Sequence, residues 1–383
     1  MNILILGGDG YLGWPAALFF SKKDHKVTII DNFSKKKIEF ENSIKPLVPQ
    51  TPIKERLEIW NKNSNTPIKF EMCDLLNHRS LYDLLKQTKP DPIIHFAVQP
   101  SAPYSMKGRE ACFFTQNNNV LGTINLLFAM KKYSPEAHLI KLGTMGEYGT
   151  PNIDIEEGWI DIEHKGRKDR VLYPKKPGSF YHLSKVHDTN NIEFATRVWK
   201  FRCTDLNQGV VYGVDTDETK LSEKLSTSFH YDEIFGTVIN RFCIQAALGL
   251  DLTIYGNGTQ QRGYLDIRDT LNCINITLEN PAKESEFRVF NQYSEKLSIN
   301  QIAKIVIDAA KDLNISVSSK KIANPRVEQE DHYYNPTNTN LVSLGLKPLF
   351  LNKDIVKTMI DRALKYKNNI LRNTISPTIK WKN

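Results

Sequence analysis

The stretch NILILGGDGYLGWPAALFF, residues 2–20, together with KVTIID at 26–31, decides the fold. Asn2 to Leu6 is a short apolar run of the kind a buried strand needs. Gly7-Gly8-Asp9-Gly10-Tyr11-Leu12-Gly13 follows it, and an apolar helix pattern runs from there through Phe20. Lys26 to Ile30 predicts the next strand, which ends on Asp31. Strand, glycine turn, helix and strand make the opening of a parallel α/β unit.

The glycines at 7, 10 and 13 form GxxGxxG, a variant of the stricter GxGxxG spacing. Small residues there permit a tight turn, close backbone approach to a pyrophosphate, and close packing of helix on strand. The helix that starts nearby aims its N–H groups and dipole at the phosphates. A glycine triplet alone also fits a plain turn; the acid that ends the next strand favours the dinucleotide reading. Asp31 is placed to accept the adenosine ribose hydroxyls and repel a 2′-phosphate, which favours NAD over NADP. Lys35 and Lys36 pull the other way, since nearby cations suit that phosphate. Gly10, Tyr11, Leu12 and Asn32 complete the cofactor candidates of this region. Further on, Asp74 and Leu75 follow the third predicted strand. Asp74 reads equally as an adenine contact or as a turn or helix cap. Phe96 and Ala97 end the fourth strand, where backbone and small side chains would line the cofactor.

Outward from this unit, strands are predicted at Ile68 to Met72, Asp91 to Phe96, His138 to Leu142 and Arg202 to Leu206. Helical patterns lie between them, notably Asn119 to Tyr133 and Tyr181 to Trp199. This alternation implies an α/β fold of Rossmann type, a doubly wound parallel sheet with helices on both faces. Residues 34–67 are polar, proline-bearing and long for a connection, either a functional lid or a loosely structured insert. From about Val210 the pattern loosens, with short strands at Leu252 to Tyr255 and Glu286 to Asn291 and helices near Ile299 to Lys311 and Asn352 to Leu371. That divides the chain into a cofactor domain over 1–206 and a smaller mixed α/β substrate lobe over 207–383, some of whose segments return to the first domain. Repeats and low-complexity tracts are not evident.

With 383 residues, 40% of them hydrophobic and 25% charged, the chain has the composition of an ordinary globular protein of two lobes. A formal charge of +8 favours anionic partners. The lysines are scattered, so an anionic small molecule is expected rather than nucleic acid. Cys73, Cys112, Cys203, Cys243 and Cys273 are odd in number and far apart, without CxxC spacing. They argue against a disulfide framework or any metal site and fit a reducing compartment, the cytoplasm. No run approaches the roughly 20 apolar residues of a membrane span, so no membrane partner is expected.

Tyr181-His182-Leu183-Ser184-Lys185 opens a predicted helix and sets tyrosine and lysine at i and i+4, on one face. A free tyrosine, with a pKa of about 10, is a poor base at neutral pH. A neighbouring ammonium and the positive nicotinamide ring both favour the phenolate and should lower that value. Upstream, Leu142-Gly143-Thr144 ends a strand, and Thr144 is placed to bond the same substrate hydroxyl. YxxxK also occurs by chance in helices whose tyrosine merely packs; downstream of a dinucleotide turn and Thr144, the catalytic reading prevails.

Here the chain resembles the extended short-chain dehydrogenase/reductase family of sugar-nucleotide epimerases and dehydratases. In that family the threonine, tyrosine and lysine oxidise a sugar C4 hydroxyl while NAD takes the hydride. The stretch Asn207-Gln208-Gly209-Val210-Val211-Tyr212-Gly213 resembles the segment that sets an asparagine on the nucleotide diphosphate. Gln261-Arg262-Gly263-Tyr264-Leu265-Asp266-Ile267-Arg268-Asp269 resembles a diphosphate-contacting segment, and Pro325-Arg326-Val327-Glu328 a late arginine-plus-acid segment. A guanidinium suits phosphate because its planar donors engage oxygens in pairs. The resemblance thus implies substrate contacts at Gln99, Tyr104, Thr144, Asn207, Arg241, Gln261, Arg262, Arg326 and Glu328. Members usually pair through the two helices 119–133 and 181–199, which implies a homodimer.

Within the family, four long stretches are similar to the branch that adds sulfite to a sugar nucleotide. They are Ser101 to Met106 (SAPYSM), Leu142 to Glu157 (LGTMGEYGTPNIDIEE), Phe180 to Asp188 (FYHLSKVHD) and Asp205 to Gly213 (DLNQGVVYG). In the related dehydratases the catalytic threonine is followed by Asp-Glu, the acid and base that remove water across C5 and C6. Here those positions are Met145 and Gly146, and the nearest acid is Glu147. That departure argues against a standard dehydratase; a simple UDP-hexose 4-epimerase needs no such pair and stands as the alternative. The branch implies UDP-glucose and sulfite as substrates and a 4-keto-5,6-ene on the way. His182 and Glu147 are the candidates for the C5/C6 proton transfers. For His182, a satisfied histidine capping the start of its helix is an equal reading.

Overall fold

A computed structural model describes residues 1–326 and 332–381. Seven parallel strands form the central sheet, in the order 286–292, 202–208, 138–144, 92–95, 2–6, 26–31, 69–72. The order reverses beside strand 2–6, and the crevice outside the strand ends at such a reversal is where α/β sheets bind ligands. Strand Asn2–Leu6 is buried along all but its first residue, as its apolar run predicts for a strand covered on both faces. Helix Gly13–Lys22 packs Trp14, Ala17, Leu18 and Phe20 into one core layer; helices Gly122–Tyr133 and Phe180–Trp199 contribute to the opposite layer.

The strand Glu286–Gln292 is one of the segments beyond 206 that return to the first domain, completing the central sheet beside Arg202–Gln208. Which segment returns is not readable from its sequence neighbourhood, because sheet partnership is set by packing across the chain. Helix Ile267–Glu279 also returns to the first core, with Leu271, Cys273 and Ile274 beside Trp14 and Phe20, whereas helices Val238–Ala247, Ile299–Asp312 and Lys353–Lys365 meet in a separate apolar core. A polar hairpin, Trp159–His164 with Arg167–Leu172, stands out from the body and lacked the apolar alternation that would predict it.

Residues 34–67 are an ordered insert carrying helices Ser34–Glu41 and Ile53–Asn61. The insert folds back on the glycine turn. Arg56 is fully buried, bonds the Asp9 carboxylate and lies 4.5 Å over the Trp14 ring. Gln50 donates to the Asp9 carbonyl at 3.0 Å, and the Trp60 indole N–H donates to Ser21 Oγ at 2.8 Å. With one or two buried side chains per helix, the insert had no apolar stripe to read from sequence.

Candidate active site

The glycine turn opens onto a cavity of about 370 Å³ at the reversal of strand order. Gly13 is tightly constrained: a Cβ there would stand 2.0 Å from the Gly7 carbonyl oxygen, so only glycine lets helix and strand meet. Asp31 accepts the Asp9 N–H on Oδ2 at 2.9 Å and the Phe33 N–H on Oδ1 at 2.8 Å. Two backbone donors orient this carboxylate at the cavity wall and leave further lone pairs for ribose hydroxyls. The residues therefore fit a dinucleotide. Gly7, Gly10, Tyr11, Leu12, Asp31 and Asn32 all line the cavity. So do Lys35, Asp74, Leu75, Phe96, Ala97, Tyr181 and Lys185.

Lys36 does not line it. Its ammonium pairs with Asp9 at 2.6 Å and lies over the Phe33 ring, which corrects its expected cofactor role. Lys35 lines the wall but bonds Ser228 Oγ at 3.1 Å and Glu39 at 3.4 Å. Both cations thus have anionic or polar partners of the protein's own, which removes the sequence argument for a 2′-phosphate. Asp74 keeps both of its sequence readings: it lines the cavity, and its Oδ1 also accepts the Leu76 N–H at 2.8 Å.

Tyr181 and Lys185 stand on the first turns of the helix Phe180–Trp199, which Ser179 caps by accepting the His182 N–H. Ser105 Oγ accepts the Tyr181 N–H at 3.0 Å, fixing this turn against the short helix Ala102–Ser105. Lys185 Nζ donates to the Leu142 carbonyl at 2.7 Å, anchoring the helix on the strand that ends at Thr144. Burial pushes the Lys185 ammonium down to about 8, with Lys141 adding to the effect. The expected lowering of the tyrosine is not produced by the protein alone. Burial, followed by the charges of Glu147 and Asp188, holds the Tyr181 phenol above its ordinary value.

His182 settles into an unexpected position. Its Nδ1 lies 3.0 Å from Ser179 Oγ, and its Nε2 faces Gly146, where a Cβ would stand only 2.3 Å away. Burial, then Arg326 and Arg262, push the imidazole down to about 4, so it is neutral at physiological pH. The cap of the helix is Ser179, whose hydroxyl also lies against His182 Nδ1, so the ring takes part in the capped turn while its Nε2 faces Gly146.

Glu147 is corrected. It is fully buried; its Oε1 lies 3.3 Å from Lys141 Nζ and accepts the Thr144 N–H at 3.3 Å, while its Oε2 pairs with Lys175 and accepts the Thr189 hydroxyl at 3.0 Å. Burial would raise its carboxyl, but Lys141 and Lys175 hold it below the usual range, so it is an ionised counter-charge rather than a proton carrier at the cavity.

Three substrate candidates are engaged within the protein itself. Gln99 is buried, its amide spent on Ser101 and Thr115. Tyr104 sits edge-on to Phe114 in an apolar cluster with Ile38 and Ile234. Asn207 is buried and donates to Tyr148 Oη at 2.7 Å, Tyr148 in turn bonding Asn291. Each lies within hydrogen-bond networks or packing that sequence proximity cannot reveal.

The arginines are brought together. Arg241 and Arg326 line one cleft with Tyr255 and Trp381, and Pro103, Gly236 and Thr237 belong to both this cleft and the cofactor cavity. Arg241 lies 4.1 Å over the Tyr255 ring and donates to the Thr253 carbonyl at 3.0 Å. Arg262 Nη1 is 3.1 Å from His332 Nε2, and Gln261 is exposed, its carbonyl accepting from Arg262 at 2.6 Å. Arg326 stacks 5.5 Å from Trp381, a contact no motif predicted. Glu328 lies outside the described residues. Among the described residues no cluster of metal-ligating side chains occurs, and no helix is long and apolar enough to cross a membrane.

Residues 3–291 match the NAD dependent epimerase/dehydratase family. Over its full length the chain is 49% identical to a spinach (Spinacia oleracea) protein named UDP-sulfoquinovose synthase, chloroplastic, covering 79% of that relative. It is 41% identical to the UDP-sulfoquinovose synthase of Sulfolobus acidocaldarius, again over its full length and 98% of the relative. In fold it is similar to UDP-glucose 4-epimerase from Bifidobacterium longum, with a TM-score of 0.70 at 17% identity, over 96% of this chain and 99% of that one.

Proposed function

The chain belongs to the NAD dependent epimerase/dehydratase family, and from that premise we propose that it converts UDP-glucose and sulfite to UDP-sulfoquinovose. The observation that carries the reading is full-length identity of 49% and 41% to two proteins of that name. The site supports it at the point where it departs from a dehydratase, with His182 filling the space beside Gly146.

Tyr181 removes the proton of the C4 hydroxyl, with Thr144 bonding the same oxygen and Lys185 favouring the phenolate. NAD, held by the glycine turn, Asp31 and the cavity wall, supplies the hydride acceptor at C4 and afterwards the donor. Once C4 is a ketone, the C5 proton is acidic, and the imidazole of His182, uncharged at physiological pH, has a ring nitrogen open to take it. The proton then leaves with the C6 hydroxyl as water, giving the 4-keto-5,6-ene. Sulfite adds at C6, C5 regains a proton, and restoration of the C4 hydroxyl completes the cycle. Net redox change is nil, which suits a cofactor kept in its cavity. Arg241, Arg262 and Arg326 bind the diphosphate, where paired guanidinium donors match phosphate oxygens. In this reading residues 1–206 carry the cofactor and most of 207–383 the sugar nucleotide.

Exposed Phe113, Leu121, Phe128, Phe194 and Val198 lie on the helices around 109–133 and 180–199. Such a grouping supports pairing of two copies through these helices. The five cysteines are all unpaired, which supports a reducing compartment such as the cytoplasm.

Incubation of the pure protein with UDP-glucose, with and without sulfite, tests the function by mass spectrometry of the products. UDP-sulfoquinovose is expected only with sulfite; UDP-galactose without sulfite incorporation would establish the 4-epimerase instead. Tyr181→Phe is expected to abolish turnover and spare NAD binding.

A further inference from the structure

Beneath the catalytic residues lies a fully buried charged cluster that the mechanism above does not use. Its hub is Lys141, in the strand His138–Thr144 and 1% exposed. Parallel pairing sets Lys141 beside Asp205 of the neighbouring strand, and Nζ lies 2.8 Å from Asp205 Oδ2. The same ammonium reaches Glu147 Oε1 at 3.3 Å, Thr189 Oγ1 at 2.7 Å and the carbonyl of Lys185 itself at 3.2 Å. Glu147 in turn takes the Thr144 N–H. One side chain therefore joins the end of the threonine strand, the tyrosine–lysine helix and the adjacent strand.

We propose that Lys141 is a positioning residue for the Tyr181–Lys185 pair, holding their helix on the Thr144 strand and balancing the carboxylates that oppose a phenolate at Tyr181. The proposal rests on the reading of Tyr181 as the base. Charge counting gives its physical content. Lys141, Lys175 and Lys185 meet Glu147, Asp205 and Asp188 in the cluster, burial raising Asp188 to about 7, and the other titratable neighbours, His95, Tyr148 and His182, are uncharged. Three cations thus meet three carboxyls. Glu147 and Asp188 are the charges that raise Tyr181. Without Lys141, two ammoniums would face the same three carboxyls, and a phenolate would add a further negative charge in a site that water does not screen.

The test uses NAD-loaded full-length protein carrying Lys141→Met, Glu147→Gln, or both. Phenolate absorbance at 295 nm, taken against the matching Tyr181→Phe variant, reads the tyrosine titration without any sugar nucleotide. Lys141→Met is expected to move it upward by about one pH unit or more, Glu147→Gln to move it downward, and the double variant to lie between. The acidic limb of the rate of UDP-glucose-driven cofactor reduction should follow the same order. A titration unmoved in Glu147→Gln and in the double variant, or single variants shifting in one direction, overturns the proposal. Should Lys141→Met fail to fold, Glu147→Gln and the charge-balanced double variant decide it. Absence of sulfoquinovose formation by the unaltered protein would refute the proposed function, while the absorbance titration would still judge Lys141.

Discussion

The imidazole of His182 occupies the space that a side chain at position 146 would need, with Nε2 only 2.3 Å from where the Cβ of a residue replacing Gly146 would stand. The two positions are far apart in sequence, and the lack of a side chain at 146 is what lets the histidine approach.

Gly146→Ala should therefore displace the ring. Because 146 has no left-handed backbone requirement, the effect is steric alone. Turnover is expected to fall by about 10²-fold, the worth of a positioned acid–base group. NAD affinity should be unchanged. Stopped-flow measurement of cofactor reduction and product formation checks this; wild-type rates in Gly146→Ala would remove His182 from the C5/C6 chemistry.

Asp31 and the committed lysines predict a firm preference for NAD over NADP. Lys36 is held by Asp9, and Lys35 by Glu39 and Ser228. Asp31→Ser is expected to weaken NAD by about 1–3 kcal/mol, the loss of a charged hydrogen-bond acceptor, without gaining NADP binding. Calorimetric titration of both cofactors into apoprotein measures it. Tight NADP binding by Asp31→Ser would show that the two lysines are free to turn.

Arg56→Met should destabilise the protein by about 3 kcal/mol, because Asp9 loses a buried ionic partner. Lys36 remains beside Asp9 and limits the loss. Urea unfolding followed by tryptophan fluorescence reports it, since Arg56 lies over Trp14. Arg56→Met/Asp9→Asn should recover part of the difference; no recovery would mean that packing rather than charge was lost.

His138 predicts acid sensitivity. Burial, then Arg288 and Arg202, push it down to about 3 from an ordinary value of 6.5. Below pH 6.5 the unfolded chain takes up a proton that the folded protein refuses. Stability therefore falls as pH drops from 6.5 toward 3, by about 1.4 kcal/mol per pH unit from this group. Unfolding free energies from urea titrations at pH 7 and pH 5 should differ by about 2 kcal/mol less in His138→Gln than in the unaltered protein. An equal difference in both would assign the acid sensitivity to other groups.

The cofactor half of the site was legible because its signals are local. A strand, a glycine turn and an acid ending the next strand lie within residues 2–31, and Tyr181 and Lys185 lie one helical turn apart. The surroundings of Glu147, Gln99, Tyr104 and Asn207 were not legible, for the opposite reason. Each has the right chemistry and a suggestive neighbourhood, but its orientation depends on partners distant in sequence: Lys175 and Thr189 for Glu147, Tyr148 for Asn207.

By itself the sequence determined the doubly wound parallel sheet, the dinucleotide turn and the tyrosine–lysine pair, because periodicity, glycine spacing and i,i+4 geometry are properties of contiguous chain. Only the tertiary structure decided that His182 fills the gap at Gly146, that Arg56 seals the insert onto Asp9, and that Lys141 gathers buried carboxylates beneath the site. Those are contacts across strands and helices, and a buried charge or a missing Cβ acquires meaning only once its partner stands beside it.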